Sequence, residues 1–418
     1  MDYDIAVVGG GPAGLAAAVE AKKNGAGKVL IIERDIEPGG ILQQCIHNGF
    51  GIHIFNQELT GPEYAQRFID MAEKEKIEIM LDTIVTEITP GRKVKVLNSS
   101  GVININAGAV ILAMGCREKT RGAVAIPGDR PSGIFTAGAA QRYINIEGYM
   151  VGRKAVVLGA GDIGMIMARR IVLEGGEVIA VVARGSFEKG ITRNIVQCLE
   201  HYSIPLLYNH NIVEIRGKER VESVVIAQTD ERKEVIKGTE KEYECDTVLL
   251  SVGLIPENEL SRQAGIEIDK RTGGAFVNES METSVPGIFA CGNVVHVHDV
   301  VDFVTEESMR AGMNAAKYVK GEFDRMPDYQ DINISGGLTY CVPQRLRYSS
   351  LPEKLDLFTR VDRVYPRAKI ILENSGREIK TFRKAALTPG EMVKLTVTKT
   401  MLKDTEGSLE LRLDRGDG

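Results

Sequence analysis

The sequence predicts an α/β fold with two copies of one strand–glycine loop–helix–strand unit, followed by a small β-rich domain. The first copy starts with the apolar run at residues 4–8, which leads directly into a cluster of glycines. The second copy starts at residue 154 and repeats both the apolar run and the glycine spacing. From about residue 331, alternating apolar and polar residues separated by Pro-Gly and Ser-Gly turns predict strands instead of helices.

The composition bounds the number of domains and excludes several functions. A chain of 418 residues is too long for one ordinary core, so we expect two or three domains. The net charge of -5 gives no indication of nucleic-acid binding, and no apolar run is long enough to span a bilayer. The first strand begins at Asp4, which leaves no room for a signal peptide. We therefore expect a cytoplasmic protein, and the sequence leaves its oligomeric state open.

The cysteines and histidines predict neither disulfides nor a metal site. The six cysteines are scattered without a CxxC pair, which indicates reduced thiols. They are Cys45, Cys116, Cys198, Cys245, Cys291 and Cys341. No histidine stands at ligand spacing from a cysteine, although His296 and His298 alternate along a segment that is expected to be extended. We assign no metal ligand on this basis.

The first unit has the pattern of a dinucleotide-binding turn. The strand at residues 4–8 runs into G-x-G-x-x-G at residues 9–14, where glycines permit the tight turn, the approach of a pyrophosphate and close helix packing. The helix that follows directs its N terminus towards the phosphates. A second strand at residues 28–32 ends at Glu33, whose carboxylate is placed to bind ribose hydroxyls. The predicted ligands in this unit are Gly9, Gly11, Pro12, Ala13, Gly14, Glu33 and Arg34.

The second unit repeats the glycine pattern but lacks the acid. Its strand at residues 177–182 is followed by Ala183 and Arg184. An arginine here suits the 2′-phosphate of NADPH, whereas a carboxylate suits NADH. Glu188 is the alternative ribose ligand, so the sequence favours NADPH over NADH only slightly, and a unit that binds no nucleotide is a further alternative. The predicted ligands in this unit are Gly159, Gly161, Asp162, Ile163, Gly164 and Arg184.

Two further segments match each other in the two units. Residues 108–115 and 246–253 each read as a buried strand that ends in glycine, and each follows a stretch of short alternating strands. We expect both segments to lie in parallel sheets beside the glycine loops. The predicted cofactor contacts on these segments and on the short strands before them are Val85, Ala113, Gly115 and Gly253.

Together these motifs resemble the FAD- and NAD(P)-binding flavoproteins with two dinucleotide-binding domains, the pyridine nucleotide-disulfide oxidoreductases. The segments that carry the resemblance are VVGGGPAG, GAVILAMG, VLGAGDIG, SVGLIPEN and TSVPGIFACGN. The resemblance covers about residues 1–325 and implies two Rossmann-like domains of three-layer ββα architecture. It places an FAD domain at 1–115 and 251–325 and an NAD(P) domain at 116–250, and it leaves a C-terminal β-rich domain at 331–418.

The resemblance also assigns FAD contacts beyond the first glycine loop. The last FAD motif of the family usually ends in Gly-Asp. Here it ends in Gly292 and Asn293, whose side-chain carbonyl can still accept a hydrogen bond. Gly40 lies in the segment that passes close to the flavin in this family. A helix is expected over residues 306–319 with Thr305 as its N-cap, and its N terminus is implied to face the flavin pyrimidine.

A narrower resemblance concerns the partner in electron transfer. The segments GGILQQCIHNGFG and ITRNIVQCLE resemble a subgroup encoded beside glycerol-3-phosphate dehydrogenase-like flavoproteins, and the α-type subunits of sarcosine oxidase are similar in plan. This resemblance implies a partner dehydrogenase or electron-transfer subunit. We expect an oxidoreductase that passes hydride between NAD(P)H and FAD, and electrons onward to that partner or to a small acceptor.

Cys45 is the candidate for a different redox centre. Because no CxxC pair and no second cysteine near Cys45 are present in the sequence, an internal dithiol relay is not expected. A single cysteine at this place resembles the NADH peroxidase plan, with His47 and His53 nearby to lower the thiol pKa or to move protons. The alternatives are that Cys45 packs as a small apolar residue, and that the chain is a non-catalytic flavin-binding subunit.

Overall fold

The chain folds into two compact units, which are Met1–Cys116 with Pro256–Gly418, and Arg117–Ile255. The computed structural model describes residues 1–185, 194–323, 329–403 and 405–414. Both units contain a parallel β-sheet with helical connections, so the predicted α/β class with Rossmann-like sheets is confirmed. Glu188 and the start of ITRNIVQCLE lie outside the described residues. None of the described helices is both long and apolar enough to cross a membrane.

Residues 1–116 build most of the parallel sheet of the first unit. Its strands are β1 (Asp2–Val8), β2 (Val29–Ile32), β3 (Asn48–Phe50), β4 (Leu59–Thr60), β5 (Glu78–Met80), β6 (Ile84–Ile88), β7 (Lys93–Asn98) and β8 (Gly101–Leu112). Its helices are α1 (Pro12–Lys23) and α2 (Gly61–Lys74). Strand β1 lies between β2 and β8 and is parallel to both. Their C-terminal residues are apolar and buried, as expected for strands that are covered on both faces.

The second unit has its own parallel sheet. The strands from this part of the chain are β9 (Cys116–Glu118), β10 (Ile134–Thr136), β11 (Lys154–Leu158), β12 (Glu177–Ala183), β13 (Leu206–Tyr208), β14 (His210–Arg216), β15 (Ser223–Gln228), β16 (Lys241–Glu244), β17 (Thr247–Leu250) and β18 (Leu254–Pro256). The helices are α3 (Arg121–Val124), α4 (Ala137–Asn145) and α5 (Asp162–Leu173). Among the described strands, the order in the parallel sheet is β10-β17-β11-β12-β13. The predicted repeat of strand, glycine loop, helix and strand is therefore present in both units.

After residue 256 the chain returns to the first unit. It forms α6 (Glu259–Gln263), β19 (Ile288–Ala290) and α7 (Val301–Val319). Strand β19 joins the first sheet, parallel to β8. Helix α7 crosses α1 so closely that a Cβ atom on Gly312 would come within 2.1 Å of the Ala17 carbonyl oxygen. Only glycine fits at this crossing without a shift of the two helices.

The C-terminal residues form a β-rich domain, as the sequence predicts. Its strands are β20 (Gln330–Ser335), β21 (Leu338–Val342), β22 (Arg345–Leu346), β23 (Lys354–Val361), β24 (Tyr365–Asn374), β25 (Arg377–Leu387), β26 (Val393–Thr398) and β27 (Leu409–Asp414). Among the described strands, one sheet has the order β22-β20-β27-β24-β25 and a second has the order β21-β23-β26. A separate core of leucine, valine and isoleucine side chains holds these strands together.

Paired charges attach this domain to the rest of the first unit. Arg347 is buried, and its backbone N and Nε donate to the carboxylate of Glu279 at 2.8 and 3.2 Å. Arg360 forms a second pair with Asp299. Taking charges out of water costs several kcal/mol for each ion, so a buried pair adds little net stability but is costly to break. The Arg347–Glu279 pair therefore fixes where the domain sits within the first unit.

Helix α7 begins earlier than the sequence predicts. It starts at Val301 with the extended residue Val300 as its N-cap, so the prediction that Thr305 caps the helix is wrong. Thr305 lies inside the helix, is buried, and has its Oγ1 2.7 Å from the hydroxyl of Tyr64 on α2. Burial of Val304 in the core favours the additional turn, while Tyr64 satisfies the threonine hydroxyl without a cap.

Replacing Gly312 by Ala is expected to destabilise the first unit by about 1–3 kcal/mol, because the new methyl group would overlap the Ala17 carbonyl. The measurement is urea unfolding followed by far-UV circular dichroism. Gly91→Ala is the matched control, since a Cβ there would have its nearest neighbour at 3.8 Å. Equal unfolding midpoints for the two variants would contradict the close crossing of α1 and α7.

Candidate functional site

The first glycine loop holds the start of α1 against the ends of β1 and β8. Gly9 has φ +107°, and a Cβ atom there would lie 2.5 Å from the carbonyl oxygen of Ala113. A Cβ atom on Gly14 would lie 1.8 Å from the carbonyl oxygen of Gly9. Both positions therefore require glycine, and together they bring the first turn of α1 onto the sheet edge.

The N terminus of α1 faces open space. Gly11 is the N-cap, no side chain caps the helix, and Pro12 occupies the first turn. A Cβ atom on Gly11 would meet only the Cα of Gly40, at 4.0 Å. The backbone N of Gly39 donates to the Gly10 carbonyl at 2.8 Å and so fixes this second glycine segment opposite the first. Uncapped helix N–H groups beside two glycines fit the pyrophosphate of a dinucleotide.

Glu33 stands where a ribose ligand is expected. It is 7% exposed, and its Oε2 accepts from the backbone N of Gly10 at 2.6 Å. Its Oε1 accepts from the backbone N of Asp35 at 2.8 Å. A carboxylate has about four acceptor positions, so two remain for ribose hydroxyls. Arg34 next to it is exposed.

The predicted contacts on the neighbouring strands lie at the same end of the sheet, with one further away. Ala113 touches the glycine loop, and Gly115 has φ +70° with no neighbour where a Cβ would stand. Val85 is half-buried in β6. It is two residues from Thr83, whose backbone N donates to the Glu33 carbonyl at 3.0 Å. Val85 is thus linked to the ribose end of the site only through this backbone contact.

Gly292 and Asn293 lie against the start of α1. A Cβ atom on Gly292, which has φ +73°, would approach the Cβ of Ala13 to 2.9 Å. The side-chain oxygen of Asn293 accepts from the backbone N of His298 at 3.0 Å, and its Nδ2 donates to the Sγ of Cys116 at 3.5 Å. The carbonyl expected to bind the ribityl chain therefore already accepts one hydrogen bond and has capacity for one more.

The first turn of α7 carries a buried acid that the sequence analysis did not single out. Asp302 is fully buried, and its Oδ2 accepts from the backbone N of His53 at 3.2 Å. The ring of His53 stacks on Phe303 with 5.6 Å between centroids. A carboxylate in the first turn offsets part of the positive potential of a helix N terminus. The predicted stabilisation of negative charge on the flavin by this helix is correspondingly weakened.

Cys45 lies in a closely packed place beside the start of α2. Its Sγ donates to the carbonyl of Ile41 at 3.2 Å, and its own carbonyl accepts from the backbone N of Gly61 at 2.8 Å. Burial raises the pKa of the Cys45 thiol to about 12. The expectation that histidines lower this pKa is therefore not met. His47 instead has Nδ1 3.1 Å from the Asn48 carbonyl oxygen.

The second glycine loop repeats the constraints of the first. Gly159 also has φ +107°, and a Cβ atom there would lie 2.0 Å from the carbonyl oxygen of Ser251. A Cβ atom on Gly164 would lie 2.6 Å from the Gly159 carbonyl oxygen. Gly161 is the uncapped N-cap of α5, and its nearest neighbour for a Cβ is the Ser251 hydroxyl at 3.6 Å. This loop thus also leaves a helix N terminus open to an anion.

The side chains around the second loop differ from those around the first. The hydroxyl of Ser251 accepts from the backbone N of Gly164 at 3.1 Å, and Asp162 accepts from Asn194 at 2.6 Å. Arg184 is exposed, and its Nη2 donates to the Lys233 carbonyl at 3.2 Å. The guanidinium retains further donors for a phosphate. Two more predicted contacts are also described, the half-buried Ile163 and Gly253 with φ +106°.

These two loops are matched by a known family. Residues 3–317 match the model of the pyridine nucleotide-disulphide oxidoreductases. The chain belongs to this family. FAD and NAD(P)H are the cofactors of the family, so the predicted cofactors are confirmed at that level. The glycine loops and open helix N termini of this chain fit both of them.

The chain is similar to several characterised members. It is 29% identical over 307 residues to the NAD(P)H sulfur oxidoreductase (CoA-dependent) of Pyrococcus abyssi, covering 71% of this chain and 64% of that protein. It is 27% identical over 322 residues to one of the opine oxidase subunits of Agrobacterium tumefaciens, covering 70% and 61%. The crystal structure of thioredoxin reductase from T. acidophilum shares the fold, with TM-score 0.62, 24% identity and coverage of 77% and 99%. The chain thus spans less than two thirds of the length of these two curated relatives.

Replacing Gly11 by Val is expected to weaken FAD binding by at least about tenfold, because the side chain would fill the space in front of α1. The backbone of Gly11 is extended, with φ -75°, so valine is compatible with the fold. Titration of the flavin-free protein with FAD measures the effect. Gly91→Val serves as the control, and unchanged FAD affinity in Gly11→Val would contradict the assignment of the site.

Proposed function

We propose that this chain is an FAD-dependent NAD(P)H oxidoreductase that passes electrons to a partner protein or small acceptor without a dithiol relay. The observation that carries the proposal is the duplicate geometry of the two glycine loops. Gly9 and Gly159 share φ +107°, and each loop leads into a helix whose N terminus no side chain caps. A single nucleotide would require only one such loop.

In this proposal the residues of the first unit bind and orient FAD. The N–H groups at the start of α1 bind the pyrophosphate, and the free acceptor positions of Glu33 bind the ribose. Gly292 keeps the third FAD segment close to α1, and Gly40 leaves room for the cofactor opposite Gly11. FAD, when bound, supplies the chemistry that exchanges hydride with the nicotinamide.

The absence of a dithiol relay rests on the cysteines. The sequence has no CxxC pair, and all six cysteines are free thiols. Cys45, the one in the segment after Glu33, has its thiol pKa raised to about 12 by burial, so it is protonated at neutral pH. A protonated thiol is a poor nucleophile, which favours electron transfer from the flavin directly to an acceptor.

The acceptor is proposed to be a partner protein in a larger enzyme. The opine oxidase relative is by its name one subunit of such an enzyme, and this chain resembles it over most of its length. The resemblance to proteins encoded beside glycerol-3-phosphate dehydrogenase-like flavoproteins points in the same direction. Electrons would then flow between NAD(P)H and a dehydrogenase partner, in a direction set by the substrates of that partner.

A second candidate function uses Cys45 as a single redox cysteine. The relative from Pyrococcus abyssi is named for sulfur reduction that depends on CoA, and Cys45 follows the glycine segment that faces α1. Under this alternative, Cys45→Ser abolishes turnover of hydrogen peroxide or of a CoA persulfide while the flavin is still reduced. We expect unchanged turnover instead, measured by NAD(P)H consumption, because the thiol is protonated. Loss of turnover in Cys45→Ser alone would establish the second function over the first.

The test of the leading proposal is an anaerobic titration of the FAD-loaded protein with NADH and with NADPH. We expect the visible flavin absorbance to bleach, with NADPH as effective as NADH or more so because Arg184 retains free donors. Gly161→Val should abolish bleaching without loss of FAD, since it fills the space before α5 only.

Three results would count against the proposal. A protein that binds no FAD would refute the assignment of the first unit. A bound flavin that neither nucleotide bleaches would favour the non-catalytic alternative. Full bleaching in Gly161→Val would show that the nicotinamide reaches the flavin without the second glycine loop.

A further inference from the structure

Three potential metal-ligating side chains meet inside the first unit, next to the third FAD segment. His296 and His298 lie on the segment that follows Gly292, and Glu307 comes from α7. One nitrogen from each imidazole and one carboxylate oxygen lie within 4.8 Å of one another. Each of the three side chains is about 1% exposed. The two histidines alone gave no metal pattern in the sequence, because the third residue stands eleven positions after His296.

The carboxylate of Glu307 is oriented by the backbone. Its Oε1 accepts from the backbone N of Gly292 at 2.8 Å, which leaves Oε2 facing the histidines. This Oε2 lies 2.9 Å from Nε2 of His296 and 3.5 Å from Nε2 of His298. Burial alone would raise the pKa of Glu307, but the two neighbouring histidines hold it below its usual value. The carboxylate is therefore charged at neutral pH.

The hydrogen bonds of His298 determine which of its nitrogens carries the proton. Its Nδ1 lies 3.0 Å from the carbonyl oxygen of His296 and 3.4 Å from Oδ1 of Asn293, and both atoms are acceptors. Nδ1 must therefore be the N–H donor, and Nε2 of the neutral ring is a bare lone pair. This buried lone pair has no hydrogen-bond partner among the described residues, yet it faces the charged Glu307.

A single proton cannot satisfy both histidines. If Nε2–H of His296 donates to Glu307, the lone pair of His298 still faces a carboxylate oxygen. Burial, and then the neighbouring His298, lower the pKa of His296 to about 4, so this ring is neutral at physiological pH. Two neutral imidazoles and one carboxylate directed at a common point lack a cation between them.

We propose that His296 Nε2, His298 Nε2 and Glu307 Oε2 bind one divalent transition-metal ion of the Zn²⁺ type. Two metal–ligand bonds of about 2.0–2.1 Å at a tetrahedral angle separate the ligand atoms by about 3.3 Å. The observed separations of 2.9 and 3.5 Å bracket this value. Two imidazoles and a carboxylate suit Zn²⁺ better than Mg²⁺ or Ca²⁺, which prefer oxygen ligands throughout.

The surroundings of the three ligands resemble those of other protein metal sites. A ligating histidine usually donates its other N–H to a carbonyl or carboxylate, as His298 does to the His296 carbonyl. The rings of Tyr340 and Phe358, from the C-terminal domain, pack against the two histidines with centroids 5.6–5.8 Å apart. The ion would hold the segment after Gly292 on α7 at the place where the C-terminal domain covers it.

The test is a metal analysis of the purified full-length chain with FAD bound. We expect one equivalent of a transition metal by elemental mass spectrometry. After treatment with a chelator, addition of Co²⁺ should produce visible d–d bands of the metal beside the flavin absorbance and saturate at one Co²⁺ per chain. These bands report the ligand set directly and do not depend on enzyme activity.

Two conservative variants assign the ligands. His298→Asn keeps an N–H donor for the His296 carbonyl but removes Nε2, and Glu307→Gln keeps an acceptor for the Gly292 N–H but removes the charge. Each should weaken Co²⁺ binding by at least about 100-fold, because loss of a ligand exceeds the loss of an outer-shell partner. The control is His201→Asn, which alters an exposed histidine of the second unit.

Metal-free wild-type protein that gains no Co²⁺ bands would overturn the proposal, and a proton on His298 would then be the cation that the cluster contains. Equal Co²⁺ binding by the wild type and both variants would overturn it as well, because the ion would then lie elsewhere. The wild-type titration alone decides the matter if a variant fails to fold.

Discussion

The structure depends on the contact between each glycine loop and the sheet behind it. Gly9 and Gly14 in the first unit, like Gly159 and Gly164 in the second, leave no space for a Cβ atom. This close approach puts the N terminus of a helix at the carboxyl edge of a parallel sheet, where its unpaired N–H groups face outwards. The predicted cofactor contacts in both units are arranged around these two helix ends.

The two units share this backbone constraint but differ in the chemistry of their side chains. In the first, Glu33 offers acceptors to a ribose, and Gly40 keeps the opposite wall open. In the second, Ser251 binds a first-turn N–H, Asp162 binds Asn194, and an exposed Arg184 replaces the acid. A tightly bound cofactor in one unit and an exchangeable one in the other would be consistent with these differences.

The sequence predicted the features that depend on local rules and missed those that depend on tertiary contacts. The glycine spacing predicted both loops because only glycine accepts the φ of Gly9 and Gly159. The cap at Thr305 was wrong because Tyr64, distant in sequence, binds its hydroxyl inside a longer helix. The raised pKa of Cys45 follows from packing that nearby residues in the sequence do not indicate. Glu307 was missed because only the fold brings it to His296 and His298.

The central claim is that hydride passes from a nicotinamide to the flavin without help from a cysteine. The most direct measurement is rapid anaerobic mixing of the FAD-loaded protein with NADH or NADPH carrying deuterium at one or the other face of C4. We predict that one of the two labelled forms slows flavin bleaching and the other does not, equally in the wild type and in Cys45→Ser. A flavin that stays oxidised with both nucleotides, or that bleaches only when Cys45 is present, would contradict the account.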